Sequence, residues 1–237
     1  MNILHKYHQE DWHTPGGKML RDVIFGLNDG LVTSIGFVSG VTGAVFQSKV
    51  VILTGIAQIV AGGVAMFIGA YLSNKSQEEF FYKEIAREKR EIKEIPDVEK
   101  QEIRDIYGEM GFKAEEVEMI VNRITSDEKL WVRFMMREEL GILEEDMQNP
   151  VKAGTIMGLT FLIGGIFPLL PYFIIENPFM ALKISILLSA LVFFSIGIGK
   201  STLTKIHWFK SGMQVTILGG LAALVGFLIG KGISVFI

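Results

Sequence analysis

Long apolar blocks constrain this chain more than any other feature. A membrane-spanning helix needs about 20 largely apolar residues to cross roughly 30 Å of hydrocarbon. Five stretches are long enough: about Val23–Phe46, Val50–Leu72, Val151–Ile175, Met180–Ile198 and Met213–Ile229. Charge, proline or glycine bounds each of them, as in Gln47-Ser48-Lys49 and Glu176-Asn177-Pro178. A soluble domain gains nothing from apolar residues gathered in such blocks. The expected fold class is therefore an all-α membrane protein with five transmembrane helices.

The charges are segregated just as strongly. Of the 26 acidic residues, 21 lie between Lys75 and Lys152, with 14 of the 23 basic ones. This predicts an N-terminal tail over 1–22, transmembrane helices one and two over 23–74, a soluble helical domain over 75–150, and helices three to five over 151–237. The charged segment is net acidic, the wrong sign for nucleic acid. With no cysteine there is neither a disulfide framework nor a thiolate site. Any metal must then be held by oxygen, imidazole or thioether.

The N-terminal MNILHKYHQEDWHTPGG has no apolar core of a secretory signal, so the first span is expected to direct insertion. Lys6, Lys18, Arg21, the basic residues of the middle segment, Lys200, Lys205 and Lys210 outweigh Lys49, Lys183 and Lys231. That bias predicts a multi-pass protein whose N-terminus and middle domain are cytoplasmic. Gly26/Gly30, Gly36/Gly40 and Gly226/Gly230 are spaced four apart, which permits close helix approach within one protomer or between two.

The middle segment reads as four helices. Ser76–Ile95 continues span two and stops at Pro96, because the residue before proline is pushed out of the α region. Asp97 is placed to cap a helix over Val98–Met110, ended by Gly111. A third helix covers Ala114–Ile124. Thr125-Ser126-Asp127-Glu128 fits a capping box opening a fourth over Lys129–Leu140, stopped by Gly141. Ile103, Ile106, Val117, Ile120, Val121, Ile124, Leu130, Trp131 and Phe134 supply an apolar side.

Asp29, in Asn28-Asp29-Gly30, is the acidic residue at the middle of a span. An ionised carboxylate there costs about 2.5–3.5 kcal/mol even on the insertion scale, so it should face a cavity, a partner or an ion. The flanking glycines fit a locally broken helix; the alternative is a turn at the membrane surface. Gln58 and Met66 fall eight residues apart on one face of span two, and a thioether can serve as a soft ligand.

Glu84, Glu88 and Glu91 share a helical face, and Glu99 and Glu102 follow after Pro96. A proline elbow could fold them into an oxygen cage; the alternative is a solvated helix laced with Lys89, Arg90 and Lys93. Met135 and Glu139 share a face of the fourth helix. His5, His8 and His13 could bind metal but have no diagnostic spacing, and His207-Trp208-Phe209 reads as an interfacial anchor. There is no phosphate-binding loop, zincin motif or serine elbow.

These residues resemble the vacuolar iron transporter family of Fe²⁺/Mn²⁺ carriers. Asn28-Asp29-Gly30-Leu31 is similar to the family's Ser-Asp-Gly-Leu signature, and Gly55-Ile56-Ala57-Gln58 with Met66 to its second span. Arg87-Glu88, Glu91-Ile92, Pro96-Asp97, Glu99 and Glu102 resemble its metal-binding domain, as do Trp131, Phe134-Met135-Met136 and Glu139-Leu140-Gly141. Gly164-Gly165, Pro168-Leu169 and Pro171-Tyr172 resemble its third span. The likeness covers nearly the whole chain. It implies a homodimeric antiporter exchanging metal for protons, with no enzyme activity, catalytic residue or resident cofactor.

By the same resemblance, Asp29 and Met66 map to the translocation path. Glu88, Glu91, Glu99, Glu102, Met135 and Glu139 map to a cytoplasmic metal-binding domain. Fe²⁺ is the expected cargo, although Mn²⁺, Co²⁺ and Zn²⁺ suit the same ligands. The membrane would be the cell membrane in a prokaryote and the vacuolar membrane in a eukaryote. Gln58 departs from the family, which often has a glutamate there, and this puts proton coupling through that position in doubt. A competing reading is a non-transporting metal sensor, for which Glu99 and Glu102 would matter and Asp29 would not.

Overall fold

In hydrocarbon every backbone amide needs a partner within its own segment, so an apolar block folds as a helix. In the computed structural model, which describes residues 16–142, 147–204 and 206–235, eight helices are formed. They are α1 (Gly16–Ala44), α2 (Ser48–Glu94), α3 (Pro96–Glu109), α4 (Ala114–Thr125), α5 (Glu128–Glu138), α6 (Pro150–Ile174), α7 (Pro178–Thr204) and α8 (Trp208–Ile233). Among the described residues, α1, α2, α6, α7 and α8 are long and apolar enough to cross a membrane. The N-terminal histidines His5, His8 and His13, and Lys205, lie outside the described residues.

The chain divides into two compact units, one of Met1–Tyr71 with Val151–Ile237, the other of Leu72–Pro150. In the first, close packing depends on missing side chains. A Cβ on Gly30 would collide with the Phe161 carbonyl of α6, and one on Gly40 would sit 3.1 Å from the Gly226 carbonyl of α8. Gly226 and Gly230 meet the Gly36 and Gly40 carbonyls in turn, so α1 and α8 touch backbone to backbone. The four-residue glycine spacing thus serves packing within one chain. Gly69, by contrast, has open space where a Cβ would stand.

Two apolar clusters fill this unit: Val38, Val51, Ile59, Leu169, Tyr172, Ala181 and Leu182, and Leu31, Ile35, Phe193 and Ala223. Two pairs of polar groups inside it are joined across helices. Thr42 and Tyr172 share a buried 2.7 Å hydrogen bond, and Ser185 donates to the Pro168 carbonyl at 2.6 Å. The broken helix expected around Asp29 does not occur. α1 runs uninterrupted through Asn28-Asp29-Gly30, because Gly26 and Gly30 are needed for contact with Thr160 and Phe161 rather than for a break.

The second unit closes on Phe81, Ile92, Ile103, Val117, Val121, Ile124, Trp131, Val132, Met135 and Met136. Two expected caps are corrected. Ile95, not Asp97, is the N-cap of α3, because Pro96 occupies the first helical position, where its missing N–H is harmless. The cap of α5 is Asp127 rather than Thr125: its carboxylate accepts from the Lys129 and Leu130 N–H groups at 2.8 and 3.3 Å. Gly111 (φ +88°) and Gly141 (φ +64°) follow α3 and α5 in the left-handed conformation that favours glycine.

Candidate metal site

Three helices of the second unit bring carboxylates together. Glu88 stands on the last two turns of α2, whose next residues end at Ile95 and Pro96. The chain reverses there, so Glu99 on the first turns of α3 comes back toward Glu88. Glu139 follows α5 as its C-cap, one residue before the Leu140-Gly141 stop. Oxygens of Glu88, Glu99 and Glu139 all lie within 4.8 Å of one another. Among the described residues this is the one group of three or more such side chains able to converge on a single ion.

Burial makes the arrangement costly. Glu88 and Glu99 are only 1% and 3% exposed, and each has a buried Oε2 with no hydrogen-bond partner. Buried carboxylates are normally paired or bound to a metal. Arg87 directs its guanidinium elsewhere, to Glu91, Nε to oxygen 3.0 Å, and to Glu84 at 3.6 Å.

Titration reflects this crowding. Burial first, then the charges of Glu139, Glu99 and Glu91, push Glu88 up to about 7, with Arg87 opposing. Burial, then Glu102, Glu139 and Glu91, push Glu99 up to about 7. Glu139 is raised too, by burial and then Glu102. Glu88 and Glu99 therefore hold protons near neutral pH that a divalent cation can displace.

The other expected ligands stand differently. Glu91 is turned to Arg87, and Glu102 is half-buried, acting on Glu99 and Glu139 through its charge. Met135 is fully buried in the apolar core, and its carbonyl accepts the Glu139 N–H at 3.0 Å. Asp29 on α1 and Met66 on α2 are half-buried and belong to the first unit. Gln58 accepts a 3.2 Å hydrogen bond from Ser34, so its amide faces α1.

Asp22 escaped the sequence reading because the first span was begun at Val23. It is 3% exposed, accepts from Arg21 at 3.2 Å, and lies two turns before Asp29 on the same α1 face. The seven-residue interval was the available signal. The Thr42–Tyr172 pair had none, since its members are 130 residues apart.

Comparison with known proteins agrees with the motifs. The chain is 34% identical over 224 residues to vacuolar iron transporter 2 of Oryza sativa subsp. japonica, covering 94% of this chain and 90% of that protein. It is 30% identical over 224 residues to vacuolar iron transporter 1 of Arabidopsis thaliana, with the same coverage. The vacuolar iron transporter of Plasmodium falciparum (isolate 3D7) is 32% identical over 237 aligned positions, covering 94% and 87%. The model of the VIT family matches residues 20–231, and the chain belongs to that family, one of transporters rather than enzymes.

Proposed function

We propose that this protein is a secondary transporter that moves Fe²⁺ out of the cytoplasm in exchange for protons. The observation that carries the reading is the Glu88–Glu99–Glu139 convergence, two of its members buried with unbonded oxygens. Carboxylate oxygens suit Fe²⁺ and Mn²⁺, and the names of the relatives favour iron. In this reading the helical unit is cytoplasmic and collects the ion. Glu91, Glu102 and Met135 support the trio, as neighbouring charges and as a soft donor beside Glu139.

The spans then pass the ion by way of Asp29 and Met66. A half-buried carboxylate within a span is expensive unless it meets a cation there, and a thioether adds a soft, exchangeable ligand. Protonation of Asp29 from the far side lowers its hold on the metal and promotes release. The working form is a homodimer in a cell or vacuolar membrane. Gln58 carries no titratable proton, so Asp29 takes the proton-coupling role in the path.

The test is uptake by proteoliposomes across Fe²⁺, Mn²⁺, Co²⁺ and Zn²⁺, with and without an imposed pH gradient. The proposal expects Fe²⁺ flux that quickens when the receiving side is acidic. Metal binding to the glutamates with no flux would replace it by the sensor reading.

A further inference from the structure

We propose that a groove between α2 and α6 holds an acyl chain of an anionic phospholipid whose headgroup sits against Lys49. The two helices pack through glycine. A Cβ on Gly55 would lie 2.6 Å from Leu169 Cδ1, and one on Gly63 2.5 Å from Leu162 Cδ2. Where α2 begins and α6 ends, Ser48 Oγ donates to the Glu176 carbonyl at 2.8 Å. Beside this seam lies a cavity of about 480 Å³, lined by apolar side chains alone. Ile59 and Leu169, 5% and 1% exposed, form its floor. Ile56 and Val60 of α2, with Ile166, Leu170 and Phe173 of α6, form its rim and are 41% to 56% exposed.

The depth of the groove favours a lipid chain. Along α6 its lining runs from Leu162, the middle residue of Pro150–Ile174, to Phe173, one residue short of the helix end. That is about 16 Å of axis, close to half of the roughly 30 Å hydrocarbon layer. A cleft that opens at the helix ends and stops at mid-span matches the chain of one leaflet. The spanning helix of a partner protein would need a cleft along the whole length.

The mouth of the groove carries the charge. Lys49 precedes Ile56 by about two turns, so both stand on one face of α2, with Lys49 about 10 Å nearer the helix start. Lys49 is exposed, and among the described residues it has no ion-pair partner. It lies in the first turn of α2, where free backbone N–H groups favour an anion and no acidic side chain stands. The loop between α6 and α7 contributes one acidic residue, Glu176, exposed to water that screens its repulsion of a phosphate.

Native mass spectrometry of the full chain in detergent, titrated with dioleoyl-phosphatidylglycerol or dioleoyl-phosphatidylcholine, tests the site. The variants are Lys49→Gln, Ile56→Trp/Ile166→Trp to fill the groove, and Leu187→Trp on the exposed face of α7 as a control. Each substituted side chain is exposed, so the fold is kept, and an unchanged melting midpoint verifies it. Wild type and control should retain phosphatidylglycerol in preference to phosphatidylcholine. Lys49→Gln should lose about fivefold in retention of phosphatidylglycerol and leave phosphatidylcholine unchanged. The groove-filled variant should lose both lipids by about tenfold or more. Unchanged retention of phosphatidylglycerol by the Lys49 variant or the groove-filled one overturns the proposal. So does an equal loss from Leu187→Trp, which would mark unselective lipid around the spans. A groove-filled variant that keeps its lipid but falls from dimer to monomer would assign the groove to a second copy instead.

Discussion

Replacing Glu88 by glutamine should make the metal-free protein more stable above neutral pH while weakening its response to metal. The substitution keeps shape and removes one charge. Ionised Glu88 faces Glu99 and Glu139 oxygens within 4.8 Å. At an effective dielectric of about 20, one such pair repels by about 3 kcal/mol. The titration gives a similar scale: a rise from the usual 4.5 to about 7 corresponds to roughly 3 kcal/mol of penalty on the ionised form. The two figures describe overlapping physics and are not additive.

The sign follows from linkage. The folded form binds this proton more tightly than the unfolded chain, so its contribution is fully present below about pH 4.5 and is lost as pH rises through about 7. Glutamine does not titrate. At pH 8 the variant should therefore exceed wild type by about 1–3 kcal/mol without metal, with a shallower pH slope. For a unit of this size, each kcal/mol moves a melting midpoint by about 4–8 °C.

Thermal unfolding followed by the fluorescence of Trp131, buried in the same unit, reads this in a background where Trp12 and Trp208 are replaced by phenylalanine. Scans at pH 5.5 and pH 8, with and without Mn²⁺ as an air-stable stand-in, give four midpoints per protein. A variant that melts lower than wild type at pH 8 without metal, yet shows the full metal-induced rise, would refute the reasoning.

Gly230→Val should destabilise the first unit by about 2 kcal/mol or more, seen as a lower melting midpoint, because its side chain must displace the Gly40 backbone of α1. Tyr172→Phe strands the Thr42 hydroxyl in a buried position and should cost about 1–2 kcal/mol in the same assay. Arg87→Gln removes the cation that opposes protonation of Glu88, Glu99 and Glu139, so all three should titrate higher and half-saturation with Mn²⁺ should move to higher pH.

Much of the architecture was legible because both of its periods are strong. Blocks of about 20 apolar residues announce spans, and Ile103, Val117, Val121, Ile124 and Trp131 announced the core of the soluble unit through helical spacing. Pro96 marked the reversal because proline acts locally on its neighbour. The caps were misjudged at Asp97 and Thr125, where several residues within one turn could serve and tertiary geometry chooses among them. Asn28-Asp29-Gly30 suggested a break because those residues favour turns, yet the demand of α6 for backbone contact at Gly26 and Gly30 overrode the local preference. The six ligand candidates could not be ranked by spacing alone. Periodicity places side chains on a face, but the approach of α5 to α2 and α3 separates Glu88, Glu99 and Glu139 from Glu91, which Arg87 holds.

The most direct measurement is Fe²⁺ flux into proteoliposomes by wild type and Asp29→Asn, under an inward-acid pH gradient and with equal reconstituted protein. The carrier reading predicts that the neutral side chain abolishes flux while the glutamate trio, titrated with Mn²⁺ on the same preparation, binds metal as before. Wild-type flux from the asparagine variant would show that the carboxylate in α1 does not meet the ion, and the carrier reading would fall.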